Sequence, residues 1–158
     1  MKPKRILIAV DYDPSARKVA EAGFSFAKAM GADAILLHVI SNSILSYTTV
    51  YSPVTGFLGY TSVDPSQLEN AEGLKMAILH FLDKIVLSIG DKTVRTMVAE
   101  GNCAETIIKI AKQRHDDMIV MGSHSRKWLE NILMGSVTET VLRQTNIPLF
   151  IVPIKKEQ

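Results

Sequence analysis

At 158 residues, with 47% hydrophobic and 22% charged side chains, the chain has the composition of one ordinary globular domain. Its 18 basic and 16 acidic residues leave a net charge of +2 with no basic stripe, which excludes the electrostatic footprint of a nucleic-acid or anionic-lipid binder. The lone cysteine, Cys103, cannot form an internal disulfide, no apolar run is long enough to span a bilayer, and the apolar run behind Met-Lys-Pro-Lys-Arg is too short for a secretion signal, so a cytoplasmic protein is expected.

The first apolar run, residues 6–10, reads as a strand that ends at Asp11. Residues 14–30 follow with Ala16, Val19, Ala20, Gly23, Ala27 and Met30 on one helical stripe, and Gly31 supplies the stop. A second strand is expected at residues 34–40. Residues 41–66 then carry Ser, Thr, Pro and Gly with the aromatics Tyr47, Tyr51, Phe57 and Tyr60, the pattern of a flexible connection. Those aromatics either fold over a ligand or partner or belong to a loosely ordered surface link.

Residues 67–89 repeat the helical spacing through Ala71, Leu74, Ile78, Phe81, Leu82 and Ile85, ending at Gly90. A third strand is expected at 94–99 and a third helix from Asn102, which forms a capping box with Glu105, to about His115. The fourth strand, residues 118–121, runs into Gly122, and the fifth covers residues 149–152. Met30, Met76, Met97, Met118, Met121 and Met134 read as core filling.

Strand and helix alternate along the chain, and most strands are continuously apolar, as strands covered on both faces are. The expected architecture is α/β: a single doubly wound domain over residues 1–158, with a five-stranded parallel sheet and four helices. In such sheets ligands sit outside the C-terminal strand ends, where strand order reverses. If strands one and four are neighbours, Asp11 faces the segment from Gly122 to Thr138 across that crevice.

That segment, Gly-Ser-His-Ser-Arg-Lys-Trp-Leu-Glu-Asn-Ile-Leu-Met-Gly-Ser-Val-Thr, leaves a strand on glycine and enters a helix at Gly135-Ser136. Glycine admits close approach of an anion, and the first-turn amides with the positive end of the helix dipole supply donors, so the pattern is that of a phosphate cradle. Ser136 is expected to serve as helix cap and phosphate donor, with Arg126 and Lys127 adding cations. Asp11 can hold a ribose hydroxyl, an adenine amine or a phosphate-bound metal, or else cap the helix near Pro14, a task open equally to Asp13 or Ser15. His124 either touches ribose or phosphate or faces solvent. His38, His80 and His115 show no metal-ligand spacing, and Cys103 reads as a small spacer at a helix start.

Taken together, Lys4-Arg-Ile-Leu-Ile-Ala-Val-Asp11, Leu36-Leu-His-Val-Ile40, Glu100-Gly-Asn-Cys-Ala-Glu-Thr-Ile107, Asp117-Met-Ile-Val-Met-Gly122, the glycine loop and Pro148-Leu-Phe-Ile-Val-Pro153 resemble the universal stress protein family, in its ATP-binding branch. The resemblance covers essentially the whole chain. It implies the adenine nucleotide alpha hydrolase-like fold with sheet order 3-2-1-4-5. It further implies adenine against Ala9, Val10, Asp11 and Val39, ribose near Met121 and Gly122, and phosphates at Ser125, Arg126, Gly135, Ser136, Val137 and Thr138, with His124 within the same loop. The ligand implied is ATP, or ADP or AMP, with a magnesium or manganese ion on the phosphates. Ser125 departs from the family pattern, which more often has a second glycine there. The family also implies a homodimer through the fifth strand, Leu149, Phe150, Ile151 and Val152.

The expected function is a nucleotide-dependent regulator or sensor in a stress response. No residue stands out as a general base, so hydrolysis is expected to be slow at most. A second class is a stress-family dimer that acts through protein contacts without nucleotide, against which Gly122, Gly135 and Ser136 count. A phosphoacceptor receiver domain fails because the third strand ends in Ala99-Glu100-Gly101, with no acceptor aspartate.

Overall fold

Strands that are apolar on both faces must be sandwiched, and the chain satisfies this by winding helices onto both sides of one sheet. The computed structural model describes residues 2–41, 71–123 and 135–154. Within them the order is β1 (Arg5–Ala9), α1 (Ser15–Met30), β2 (Asp33–Ile40), α2 (Ala71–Ile89), β3 (Arg95–Glu100), α3 (Cys103–Arg114), β4 (Met118–Gly122), α4 (Ser136–Gln144) and β5 (Leu149–Val152). All neighbouring strands are parallel, in the order β3-β2-β1-β4-β5. The expected flexible connection, beyond Ser41, and the loop 124–134 with Met134 lie outside the described residues.

Side-chain alternation along each strand divides the core in two. Ile6, Ile8, Leu36, Ile40 and Val120 meet Val19, Ala20, Phe24 and Ala27 of α1 and Leu74, Ile78, Phe81, Leu82 and Ile85 of α2. Leu7, Ile35, Leu37 and Ile119 face the other way, against Ala104, Ile107, Ile108 and Ala111 of α3 and Val141 of α4. Each large aliphatic side chain so buried contributes about 1.5–3 kcal/mol relative to exposure. The expected stripes are buried at Ala16, Val19, Ala20, Gly23 and Ala27 of α1 and at Leu74, Ile78, Phe81, Leu82 and Ile85 of α2, with residues 67–70 and the Ala71 side chain outside those described, but Met76 is a correction: it is 62% exposed rather than core. Two residues from both Leu74 and Ile78, it sits about 200° around the helix from each and faces outward. Met30, Met97 and Met118 are half-buried, and Met121 is buried.

The N-terminal edge of the sheet is tied by Asp117. Its carboxylate accepts from the amides of Lys4 (2.8 Å) and Arg5 (3.1 Å), while its own amide donates to the Arg5 carbonyl at 2.8 Å. The two donated bonds hold the Asp117 carboxyl below the usual aspartate range. Its neighbour Asp116 is buried beside Arg114 at 3.1 Å, and burial pushes its carboxyl up against the pull of that guanidinium. These bonds set β1 against β4 and thereby level the opposite, C-terminal strand ends. Among the described residues, no helix is long and apolar enough to cross a membrane.

Gly23 decides how closely α1 lies on the sheet. A Cβ there would stand 2.7 Å from Ile8 Cδ1 and 2.9 Å from Cγ1, and Ile8 is fully enclosed and has nowhere to yield. Gly23→Ala should therefore lower stability by about 1–3 kcal/mol through overpacking, despite the ~1 kcal/mol that alanine gains in a helix. Ile8→Val in the same background should recover part of that loss; urea unfolding of the two variants checks it, and a more stable Gly23→Ala protein refutes it.

Candidate functional site

The sheet order reverses beside β1, because β2 and β3 lie to one side of it and β4 and β5 to the other. The β1–β2 ladder pairs residues as far as Ala9 with Leu37, and the amide of Val10 adds a last bond to the Leu37 carbonyl at 2.9 Å. Beyond that level His38, Val39 and Ile40 pair only with Val98, Ala99 and Glu100 of β3. A crevice thus begins where β1 leaves the ladder, at the place where open parallel sheets take ligands.

The structure brings most of the described candidate residues to this crevice, with different parts of each available. Ala9, Val39 and Met121 are buried in one cluster, with Val137, Ala99 and Cys103 packed against it, so the strand ends and the start of α4 share a face. Val10 belongs to the opposite cluster, so only its backbone addresses that face. Asp11 is half-exposed directly after it. The cap residue of α1 is Pro14, which has no side-chain cap bond, and the Ser15 amide that opens the helix is met by Asp13, whose carboxylate accepts from it at 2.7 Å and from the Ser15 hydroxyl. His124, Ser125 and Arg126, with Lys127, lie outside the described residues.

The two ends of the glycine loop meet. The Gly135 amide donates to the Ser123 carbonyl at 3.0 Å, the Ser123 amide donates to the Val152 carbonyl at 2.9 Å, and the Ser123 hydroxyl accepts from the Ile154 amide at 2.9 Å. Ser123 therefore joins β4, β5 and the entry to α4. Sequence reading passed over it; its place directly behind the strand-ending Gly122 was the available signal.

The cap of α4 is Gly135 rather than Ser136, because the Gly135 carbonyl accepts the first intrahelical bond, from Glu139 at 3.0 Å. With φ −69° and ψ 159° its backbone suits any residue, so what glycine contributes is the lack of a capping side chain. By contrast the α3 cap Asn102 accepts from the Glu105 amide at 3.1 Å. Among the described residues no side chain caps α4, so the amides of Ser136, Val137 and Thr138 stand at the positive end of the dipole with no intrahelical acceptor. The Ser136 side chain is exposed beside them.

Thr138 plays a narrower part than a direct phosphate ligand. Its hydroxyl donates to the Gly122 carbonyl at 2.8 Å and the residue is 4% exposed, so its proton holds α4 to the end of β4 and only its amide remains to donate. At the far edge, Leu149, Phe150, Ile151 and Val152 form β5, which pairs with β4 along one side while Phe150 stacks on Phe26 at 5.2 Å. Among the described residues no three His, Cys, Asp or Glu side chains gather as a metal site. Thr138→Val should leave the Gly122 carbonyl without its donor and cost about 1–3 kcal/mol in chemical denaturation, whereas Thr138→Ser should retain most of the stability.

Comparison with known proteins shows the family and the fold. The model of the universal stress protein family matches residues 2–153. Universal stress protein MJ0577 of Methanocaldococcus jannaschii is 30% identical over 155 residues, spanning 96% of each chain. The solved structure of MJ0577 superposes with a TM-score of 0.66 at 28% identity, covering 99% of this chain and 100% of that one. The fold is shared at 17% identity by a universal stress protein in complex with cAMP (TM-score 0.66, covering 96% and 98% of the two chains). It is shared likewise by the universal stress protein from Archaeoglobus fulgidus in complex with dAMP (TM-score 0.60, 17% identity, 96% and 98% covered). With the family matched over nearly its whole length, the chain belongs to the universal stress protein family.

Proposed function

We propose that this protein binds an adenine nucleotide, with ATP favoured over ADP and AMP, and acts as a nucleotide-dependent regulator in a stress response. The observation that carries this is the start of α4, which no side chain caps among the described residues and whose Val137 packs against the cluster of Ala9, Val39 and Met121 at the strand ends. The phosphates lie there, and the base lies against Ala9, Val39 and the backbone of Val10 and Asp11. Family members in complex with cAMP and dAMP support an adenine nucleotide as the ligand class. A magnesium or manganese ion enters with the phosphates, whose oxygens such an ion takes as ligands in place of an all-protein cage. Without an assigned general base, hydrolysis is slow at most, its rate coming from positioning.

Calorimetry with ATP and magnesium should show binding, and mass spectrometry of ligand released from native protein should name the nucleotide; absence of heat and of thermal shift with ATP, ADP and AMP refutes the proposal. Gly135→Asp should abolish binding with the fold retained in circular dichroism, because aspartate both caps the α4 amides itself and repels phosphate. Unchanged affinity in that variant would place the phosphates elsewhere.

The β5 edge supports a homodimer, since an apolar edge strand that carries Leu149 to Val152 needs covering. Light scattering should give the mass of two chains for the native protein and of one for Ile151→Asp. A native monomer, or a variant that stays dimeric, removes β5 as the interface.

A further inference from the structure

His38 shows no metal-ligand spacing in the sequence, yet it occupies the first position of β2 that β1 does not pair. It is 3% exposed, with only apolar residues beside it in β2 from Ala34 to Ile40. Its Nδ1 lies 2.7 Å from the Val10 carbonyl oxygen, and since a carbonyl can only accept, Nδ1 carries the proton. The ring is held edge-on by Tyr12, with centroids 6.4 Å apart, and Tyr12, 1% exposed, is held in turn edge-on by Phe81 at 4.9 Å. An imidazole braced in this way has one orientation. It therefore fixes the peptide between Val10 and Asp11, at the point where the chain leaves the ladder and the crevice begins.

We propose that His38 is a positioning residue for the nucleotide's base and ribose end: through the Val10 carbonyl it sets the direction of the backbone that presents Asp11. The inference rests on the nucleotide proposal above and deepens it. It separates the site into two halves with independent supports. Thr138, Ser123 and the α4 amides form the phosphate half, and none of them touches His38 through any bond described. Buried polar groups in such a network are costly to leave unpaired, which is why the effect of losing one donor should reach Asp11 rather than dissipate.

The test titrates wild type, His38→Leu and His38→Asn with ATP and, separately, with inorganic tripolyphosphate, which has the phosphate end alone. The leucine variant lacks the donor, while the asparagine amide nitrogen falls close to the place of Nδ1. His38→Leu is expected to weaken ATP binding about tenfold or more and to leave tripolyphosphate affinity unchanged, with His38→Asn recovering most of the ATP affinity. Long-range proton–nitrogen spectra of the wild type should show His38 protonated at Nδ1, a readout that holds even if the leucine variant does not fold. Equal ATP affinity in wild type and a folded His38→Leu, equal losses for both ligands, or a proton on Nε2 would each overturn the proposal. Wild-type protein that binds neither ligand overturns the nucleotide proposal itself, and the positioning role with it.

Discussion

Everything in this molecule depends on β1 being enclosed on all sides but one. Ile6, Leu7 and Ile8 have no exposed surface, both edges of the strand are laddered to β2 and β4, and each face meets its own layer of helices. Such a strand can offer backbone groups only where it ends. Asp117, stapled to the amides of Lys4 and Arg5, settles the register at the lower end, so the upper ends of β1, β2 and β4 fall at related levels without any side chain in the crevice having to enforce it. A site at the tip of β1 is thus a by-product of how the core is closed, and its precision is inherited from packing.

The helix starts at that same end divide the labour. α1 and α3 satisfy first-turn amides with carboxylate or carboxamide oxygens from Asp13 and Asn102. α4 does not, and its entry is held instead from outside the helix, by Ser123 and by the Thr138 hydroxyl on Gly122. The turn into α3 shows how tightly such entries are drawn: Gly101 has φ +140°, and a Cβ there would lie 2.7 Å from Thr106 Oγ1. A rigidly framed helix start suits anion binding, because donors already aligned need no reorganisation when charge arrives.

Much of this was legible in the chain before any coordinates. Continuous apolar strands between 3.6-periodic helices gave the doubly wound sheet, the stripes of α1 and α2 matched their buried faces, and the capping role of Asn102 was readable from its distance to Glu105. The order 3-2-1-4-5 came from family resemblance and not from periodicity. Two details differ: Met76 follows helical angle rather than residue type, and the cap of α4 is Gly135 rather than Ser136, because the Gly135 carbonyl accepts first. For Val10 and Thr138 the structure adds which atoms are engaged, since strand parity turns the Val10 side chain to the opposite cluster and the Gly122 carbonyl takes the Thr138 hydroxyl proton.

His38 shows the boundary most clearly. Composition and local pattern determined that the chain is α/β, which faces of its helices are apolar, and that a glycine-framed helix start follows the fourth strand, because these depend on periodicity and on neighbours within a few residues. Only tertiary structure decided that His38 meets the Val10 carbonyl, that Thr138 locks Gly122, and that Ser123 gathers Gly135, Val152 and Ile154. Those contacts join residues 12 to 31 positions apart, and the donor that a buried carbonyl finds depends on which strand ends first, which no local pattern encodes.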